Sequence, residues 1–311
     1  MINKIDEIVN EVKKVIVGKD EIIKKVVMAI MANGHILIED VPGVGKTTLA
    51  LAFSKSMGLD YKRIQFTPDV MPSDVVGFSV YDKESNELVY KPGVVMTNLL
   101  LADEINRTSS KTQSALLEVM EEEKVTIDGK TYELPKPFIV ISTQNPVGSA
   151  GTQLLPQSQL DRFMVKTKMG YPDFNSQVDI LRDRQKQEPL DLIKNVLSKD
   201  DILSIREEVK NVHVSDEVLQ YITNLVEETR KHEMVHLGVS PRGALALARM
   251  SKANAYMEGR DYVIPEDIIG VFSDVCGHRM ILNPKAKMTN ISSETICNEI
   301  IEEVPLPIKK L

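Results

Sequence analysis

The eight residues Asp40-Val41-Pro42-Gly43-Val44-Gly45-Lys46-Thr47 stand between an apolar run, Ile36 to Ile38, and a stretch of helical character, Leu49 to Met57. Strand, tight glycine loop and helix in that order commit this part of the chain to a phosphate-binding α/β unit. Successive backbone N–H groups around Gly43 and Gly45 converge on one concavity, the positive end of the following helix faces it, and Lys46 adds a mobile ammonium. Thr47 supplies a hydroxyl where such loops hold Mg²⁺, an ion satisfied by that oxygen, phosphate oxygens and water. Residues Pro42, Gly43, Val44, Gly45, Lys46, Thr47 and Thr48 are therefore read as the binding segment for a nucleoside triphosphate. The loop departs from G-x-x-x-x-G-K-[ST] at its first position, where Asp40 replaces a glycine and reaches left-handed backbone angles less readily.

A chain of 311 residues is long enough for about two domains, and 42% hydrophobic residues can fill two cores. The longest apolar run near the start, Val26 to Ala32, falls far short of the ~20 residues a spanning helix needs. Met1 to Glu7 carries no signal-peptide pattern, so the expected location is the cytoplasm, without membrane insertion. A net charge of −7 argues against a general affinity for nucleic acid, which is held mainly through lysine and arginine. The absence of tryptophan and only 5% aromatic residues leave few platforms for stacked bases. Cys276 and Cys297 have no metal-binding spacing and read as reduced, half-buried hydrophobes.

Asp6 to Met31 reads as two amphipathic helices broken at Val17-Gly18-Lys19. Short β-rich runs then alternate with helices to about Lys168, the pattern of a parallel sheet wrapped by helices. The expected strands are His35 to Ile38, Arg63 to Phe66, Leu99 to Ala102, Phe138 to Ser142 and Phe163 to Lys166. Gly77 to Tyr90 and Lys124 to Leu134 read as hairpins projecting beyond the sheet, the second through an Asp128-Gly129 turn. Gly170 to Pro189 carries a charged helix and reads as a connector. Helical periodicity follows at Asp200 to Val209, Asp216 to Lys231, Pro241 to Met257 and Pro265 to Val271, with Ser240 and Pro241 as a start signal. The expected division is a nucleotide-binding α/β core at residues 1–190 and an all-helical domain at 191–311, with the nucleotide at their junction.

Leu99-Leu100-Leu101-Ala102-Asp103-Glu104 is an apolar strand ending in two carboxylates, downstream of the phosphate loop. Asp103 can hold Mg²⁺ through a water, and Glu104 can orient the water that attacks a γ-phosphate. A second strand ends Ser142-Thr143-Gln144-Asn145-Pro146, and ligands in open sheets sit beyond the carboxyl ends of adjacent strands, so Asn145 can bond the same water.

Taken together, Asp103-Glu104-Ile105-Asn106-Arg107, Gln65-Phe66-Thr67-Pro68-Asp69 with Pro72-Ser73-Asp74, Thr143-Gln144-Asn145-Pro146, Gln159-Leu160-Asp161-Arg162-Phe163 and Ser240-Pro241-Arg242 resemble the MoxR family of AAA+ ATPases over nearly the whole chain. The phosphate loop of that family often opens with Asp. The resemblance implies an AAA+ core with a five-stranded parallel sheet and a C-terminal helical lid, binding ATP and Mg²⁺. It implies that Lys46 and Thr47 form the Walker A pair, Asp103 and Glu104 the Walker B pair, and Asn145 the sensor 1 residue. Arg162 matches the arginine finger that reaches a neighbouring subunit's γ-phosphate, and Arg242 matches sensor 2, acting within its subunit or across the boundary. Val17 and Gly18 match the segment that lines the adenine. The family further implies a homo-oligomeric ring, expected as a hexamer, that remodels protein clients, often proteins with von Willebrand factor type A domains. The hairpins match elements that face the pore, and since neither tip is aromatic, remodelling by contact is preferred to threading.

Two other readings compete. His232-Glu233-Met234-Val235-His236 spells the zinc-peptidase pattern H-E-x-x-H, but Gly238 and Ser240-Pro241 follow so closely that His236 falls at a helix end, where i,i+4 geometry is unreliable. A nucleic-acid motor would use similar hairpins, and the acidic composition disfavours it.

Overall fold

The computed structural model describes residues 2–145, 155–185 and 188–307. Pro146 and two residues of the expected connector, 186 and 187, lie outside the described residues. Helices α1 (Ile2–Lys13) and α2 (Asp20–Met31) come first. The chain breaks between them at Gly18, which takes φ +71°, as the apolar periodicity indicated. The core continues through β1 (Ile36–Glu39), α3 (Lys46–Ser56), β2 (Tyr61–Gln65), α4 (Pro72–Val76), a hairpin of β3 (Gly77–Asp82) and β4 (Glu87–Pro92), and β5 (Leu99–Asp103). Then follow α5 (Ser110–Glu122), a second hairpin of β6 (Lys124–Ile127) and β7 (Lys130–Glu133), β8 (Ile139–Gln144), α6 (Gln157–Leu160), β9 (Val165–Thr167) and α7 (Phe174–Asp183). Asp128 (φ +49°) and Gly129 (φ +76°) form the primed turn that the second hairpin requires.

Strands in the order β2-β5-β8-β1-β9 make one five-stranded parallel sheet. Its interior strands are buried on both faces, which is why LLLAD and IVISTQ read as apolar runs, whereas edge strand β2 mixes half-buried and exposed residues. Side chains alternate across the sheet. Leu99, Leu101, Ile139 and Ile141 join the cluster under α1, α2 and α3, while Leu100, Ala102 and Val140 face α5 and the hairpin bases.

The second domain holds α8 (Lys199–Lys210), α9 (Asp216–Lys231), α10 (Pro241–Met257), α11 (Pro265–Cys276), α12 (Pro284–Met288) and α13 (Ser293–Glu303). Ser240 caps α10 by accepting the Gly243 N–H at 3.1 Å, with Pro241 in the first turn. The domain is helical as expected, with one addition, an antiparallel ribbon of β10 (Val235–Leu237) and β11 (Ile281–Leu282). Both strands lie in links between helices and satisfy backbone groups by pairing with each other. The apolar cluster on one sheet face runs on through α2 into α8, α9, α10, α11 and α13, so both domains share a continuous core. Cys276 and Cys297 are free and fully buried, deeper than their half-buried expectation, and burial pushes the Cys297 thiol up to about 12. No described helix is long and apolar enough to cross a membrane.

Candidate nucleotide site

The loop before α3 turns on two glycines, Gly43 at φ +85° and Gly45 at φ +97°. A Cβ on Gly43 would meet nothing within 4 Å, so the backbone angle and not crowding demands glycine there. Asp40 is absent from the left-handed region, and its carboxylate instead accepts the N–H groups of Val41 (2.8 Å) and Gly170 (2.5 Å). The expected backbone cost of replacing glycine therefore does not arise, and the side chain ties the loop to the connector. Lys46 donates to the carbonyls of Asp40 (2.6 Å) and Val41 (3.2 Å). Burial pulls its ammonium below the usual lysine range, and the carboxylates of Asp103, Asp40 and Glu104 oppose that shift.

Over the loop opens a cavity of about 840 Å³, lined by Val17, Pro42 through Thr48, Asp103 and Glu104, with Tyr171, Ile180 and Leu181 from the connector. Its lining includes nothing from residues 191–311. Helix α7 supplies that wall. Gly18 is not part of the lining but lies beside it, so close to α7 that a Cβ there would sit 2.1 Å from Ser176 Oγ.

Parallel pairing of β5 with β8 sets Ala102 against Ser142, which brings the two strand ends together. Thr143 Oγ1 donates to Asp103 Oδ1 at 2.5 Å and accepts the Glu104 N–H at 2.9 Å. Glu104 Oε1 accepts from Asn145 Nδ2 at 3.0 Å, and Oε2 accepts from Arg107 Nη1 at 2.8 Å and from Gln65 Nε2 at 3.5 Å. Partial burial raises the Glu104 pKa, but the bonds from Arg107 and Asn145, with the Arg107 charge, outweigh it and hold the carboxyl below its ordinary range. It is thus ionised at neutral pH. Glu104 sits at φ +57°, a left-handed angle unusual for a non-glycine residue and typical of strain kept at functional positions. Asp103 Oδ2 is 2.7 Å from Arg63 Nη2. Buried Asn145 Oδ1 has no partner among the described residues, leaving an acceptor beside Glu104 for a donor such as water. Asp103 and Thr47 both line the cavity over the glycine loop, and their side-chain oxygens are hard donors of the kind that suits Mg²⁺ with a phosphate ligand.

Arg162 and Arg242 lie elsewhere. Arg162 Nη1 donates to the Leu117 carbonyl at 2.7 Å and stands 3.3 Å from Glu121 Oε2, while Arg242 bonds Glu121 Oε1. Both line a second cavity, about 440 Å³, together with Arg249 and Arg279. Within one chain the structure therefore gathers Lys46, Thr47, Asp103, Glu104 and Asn145 into one site and leaves the two arginines out of it. Sequence reading had not singled out Glu121 or the partnerships of Arg63, Gln65 and Arg107. Arg63 and Gln65 were detectable from their i,i+2 spacing at the end of β2, which puts both on one side of the strand next to β5. The H-E-x-x-H pattern is not on one helix. His232 caps α9 and lies 3.2 Å from Glu299, whereas His236 is exposed on β10.

The parallel sheet, phosphate loop and helical second domain define an AAA-type ATPase architecture. Residues 35–165 match the model of the ATPase family associated with various cellular activities (AAA), and residues 227–300 match the AAA lid domain. The YeaC protein of Bacillus subtilis (strain 168) is 49% identical, over 97% of this chain and 94% of its own length. Chaperone MoxR1 of Mycobacterium tuberculosis (strain ATCC 25618 / H37Rv) is 38% identical, over 98% of this chain and 83% of its own. The crystal structure of a candidate ATPase from Cytophaga hutchinsonii ATCC 33406 superposes with a TM-score of 0.91 at 41% identity, covering 98% of this chain and 95% of that one. The chain belongs to the MoxR family of AAA+ ATPases.

Proposed function

We propose that the chain hydrolyses ATP with Mg²⁺ at a site completed by the neighbouring subunit of a cytoplasmic hexameric ring. The observation that carries this reading is the environment of Glu104, an ionised carboxylate bonded by Asn145 and Arg107, with its backbone N–H held by the Thr143 hydroxyl, beside a phosphate loop. Lys46 and the loop N–H groups bind the phosphates, Glu104 orients and polarises the attacking water, and Asn145 offers that water an acceptor. Thr47 and Asp103 would hold Mg²⁺, which would supply positive charge to the phosphate oxygens. Arg162 supplies a guanidinium to the site of the next subunit. Arg242, which shares Glu121 with Arg162 and lies outside its own chain's pocket, acts in the same direction. The division at residues 190 and 191 separates the catalytic core from the lid. Likeness to a protein named Chaperone MoxR1 supports remodelling of protein clients, and proteins with von Willebrand factor type A domains are the first to test.

Mixing tests the shared site. Glu104→Gln and Arg162→Ala should each bind ATP and fail to turn it over, and a mixture should regain part of the activity, because some sites then combine an intact Glu104 with an intact Arg162. Wild-type turnover by Glu104→Gln refutes the catalytic assignment, and a mixture without rescue refutes the shared site.

A further inference from the structure

Arg162 follows α6 in the core and Arg242 lies in the first turn of α10 in the second domain, yet both guanidiniums meet one carboxylate, Glu121. Side chains from two domains stay together only where the domains are fixed to each other. The fixing group is the residue before Arg162. Asp161 Oδ2 accepts from Ser240 Oγ at 2.9 Å, and the same Ser240 oxygen accepts the Gly243 N–H at 3.1 Å, so this carboxylate holds the cap of the helix that carries Arg242. Asp161 Oδ1 accepts from Arg279 Nε at 2.7 Å.

Arg279 completes the tie. It stands in the turn Gly277–Arg279 after α11 and is 3% exposed. Its Nη2 donates to the carbonyls of Asp161 (3.1 Å) and Phe163 (2.6 Å), and its Nη1 to that of Met164 (3.2 Å), so one guanidinium of the second domain grips the backbone on both sides of Arg162. A buried guanidinium needs an opposite charge as well as acceptors, and among the described residues Asp161 alone forms an ion pair with it. Space there is tight. A Cβ on Gly243 would stand 2.7 Å from Arg279 Cδ and 2.5 Å from Val239 Cγ1, so a side chain at that position of α10 would displace the arginine. Asp161 itself lines the arginine cavity and not the phosphate-loop cavity of its own chain.

Resting on the roles proposed above for the two arginines, we infer that Asp161 is a positioning residue, which sets the start of α10 against the loop bearing Arg162 so that both arginines act as a pair. The test uses Asp161→Asn, which keeps the size and an acceptor for Ser240 and loses the charge facing Arg279, and Ser240→Ala, which removes the bond from the other side. Nucleotide affinity should stay within about twofold of the wild type, which also shows that the variants fold. Turnover should fall about 10- to 100-fold for Asp161→Asn with KM little changed, the factor that a misplacement of about 1 Å carries, and by less for Ser240→Ala.

Mixing separates positioning from general damage. Asp161→Asn subunits keep their own Glu104 and phosphate loop, so a mixture with Glu104→Gln should regain part of the activity. A mixture with Arg162→Ala should regain none, since neither kind of subunit offers a well-placed arginine. Added to the Arg162→Ala, Arg242→Ala double variant, Asp161→Asn should cost little more, because the groups it acts through are gone. Wild-type turnover, loss of nucleotide binding in both variants, no rescue by Glu104→Gln, rescue by Arg162→Ala or full additivity in the double variant each overturns the positioning role. The mixture of Glu104→Gln with Arg162→Ala, run alongside, decides separately whether the site is shared. Its rescue beside any of those results strikes Asp161 alone, and its failure strikes the reading beneath.

Discussion

Replacing Thr143 with valine isolates the tie between the two strand ends that carry the site. The side chain is fully buried, gives its proton to Asp103 Oδ1 at 2.5 Å and accepts the Glu104 N–H at 2.9 Å. Valine keeps the shape and removes both bonds. A hydrogen bond to a charged group contributes about 1.5–3 kcal/mol and an orphaned buried donor costs about 1–3 kcal/mol. Because one substitution removes both and the two effects overlap, the expected loss of stability is about 2–4 kcal/mol. Thr143→Ser keeps the hydroxyl, loses a methyl and should cost only about 1 kcal/mol. Urea unfolding at constant m-value reads the difference. Turnover should fall as well, by about 100-fold in the valine variant and more than ATP affinity does, since Glu104 is held at φ +57° partly through this bond. A valine variant that unfolds at the wild-type urea concentration and hydrolyses ATP at the wild-type rate refutes the role assigned to Thr143.

The other predictions concern charge. Arg107→Gln removes the cation nearest Glu104, so the carboxyl pKa should rise from its lowered value and the acid limb of the turnover profile should move to higher pH; an unmoved limb excludes Arg107 as a cause. His35 is held at about 4 against an ordinary 6.5, chiefly by burial, with the Met120 hydrogen bond opposing and Arg206 adding to the shift. The unfolded chain takes up the proton first as pH falls from 6.5 towards 4, so stability should drop across that window, by about 3 kcal/mol for this residue. His35→Gln should flatten that slope, compared by urea midpoints at neutral and acid pH, and an unchanged slope would exclude His35. Glu121→Gln removes the anion shared by Arg162 and Arg242, so assembly should depend less on whether ATP or ADP is bound; an unaltered ratio between the two nucleotides in sedimentation contradicts that.

Two helices with local punctuation at their starts were legible to the residue, whereas α8 runs one residue further at each end than expected and α11 five residues further at its end. Helices α9 and α10 run Asp216–Lys231 and Pro241–Met257, the limits read from their serine caps, acidic or proline starts and apolar periodicity. Strand ends were displaced because the partner sets them. β8 extends to Gln144, which pairs with Glu39, and β2 begins at Tyr61 because Tyr61 meets Leu99. The same distinction holds at the site. Lys46, Thr47, Asp103 and Glu104 sit on continuous segments whose order declares their chemistry, whereas Thr143, Arg63 and Arg107 gain their meaning only from strand pairing and a turn. The H-E-x-x-H string shows the converse, a local pattern dissolved by a helix end and a strand on either side. Helices α5, α12 and α13 lie outside the segments singled out by periodicity, and α13 buries Ile296, Cys297 and Ile300 on one side against other helices.

Glu121 carries one negative charge between two guanidiniums, which leaves the trio with a positive charge in excess. In the proposed ring, that surplus would make the arginines a comparator. They would part from the carboxylate for a group that offers more charge, as the end of an uncleaved triphosphate does. Once the terminal phosphate had gone, they would return to the carboxylate. A single acidic side chain would then let each protomer sense how far its neighbour has advanced through the cycle, and a solitary protomer would keep its two cations occupied until a loaded neighbour arrives.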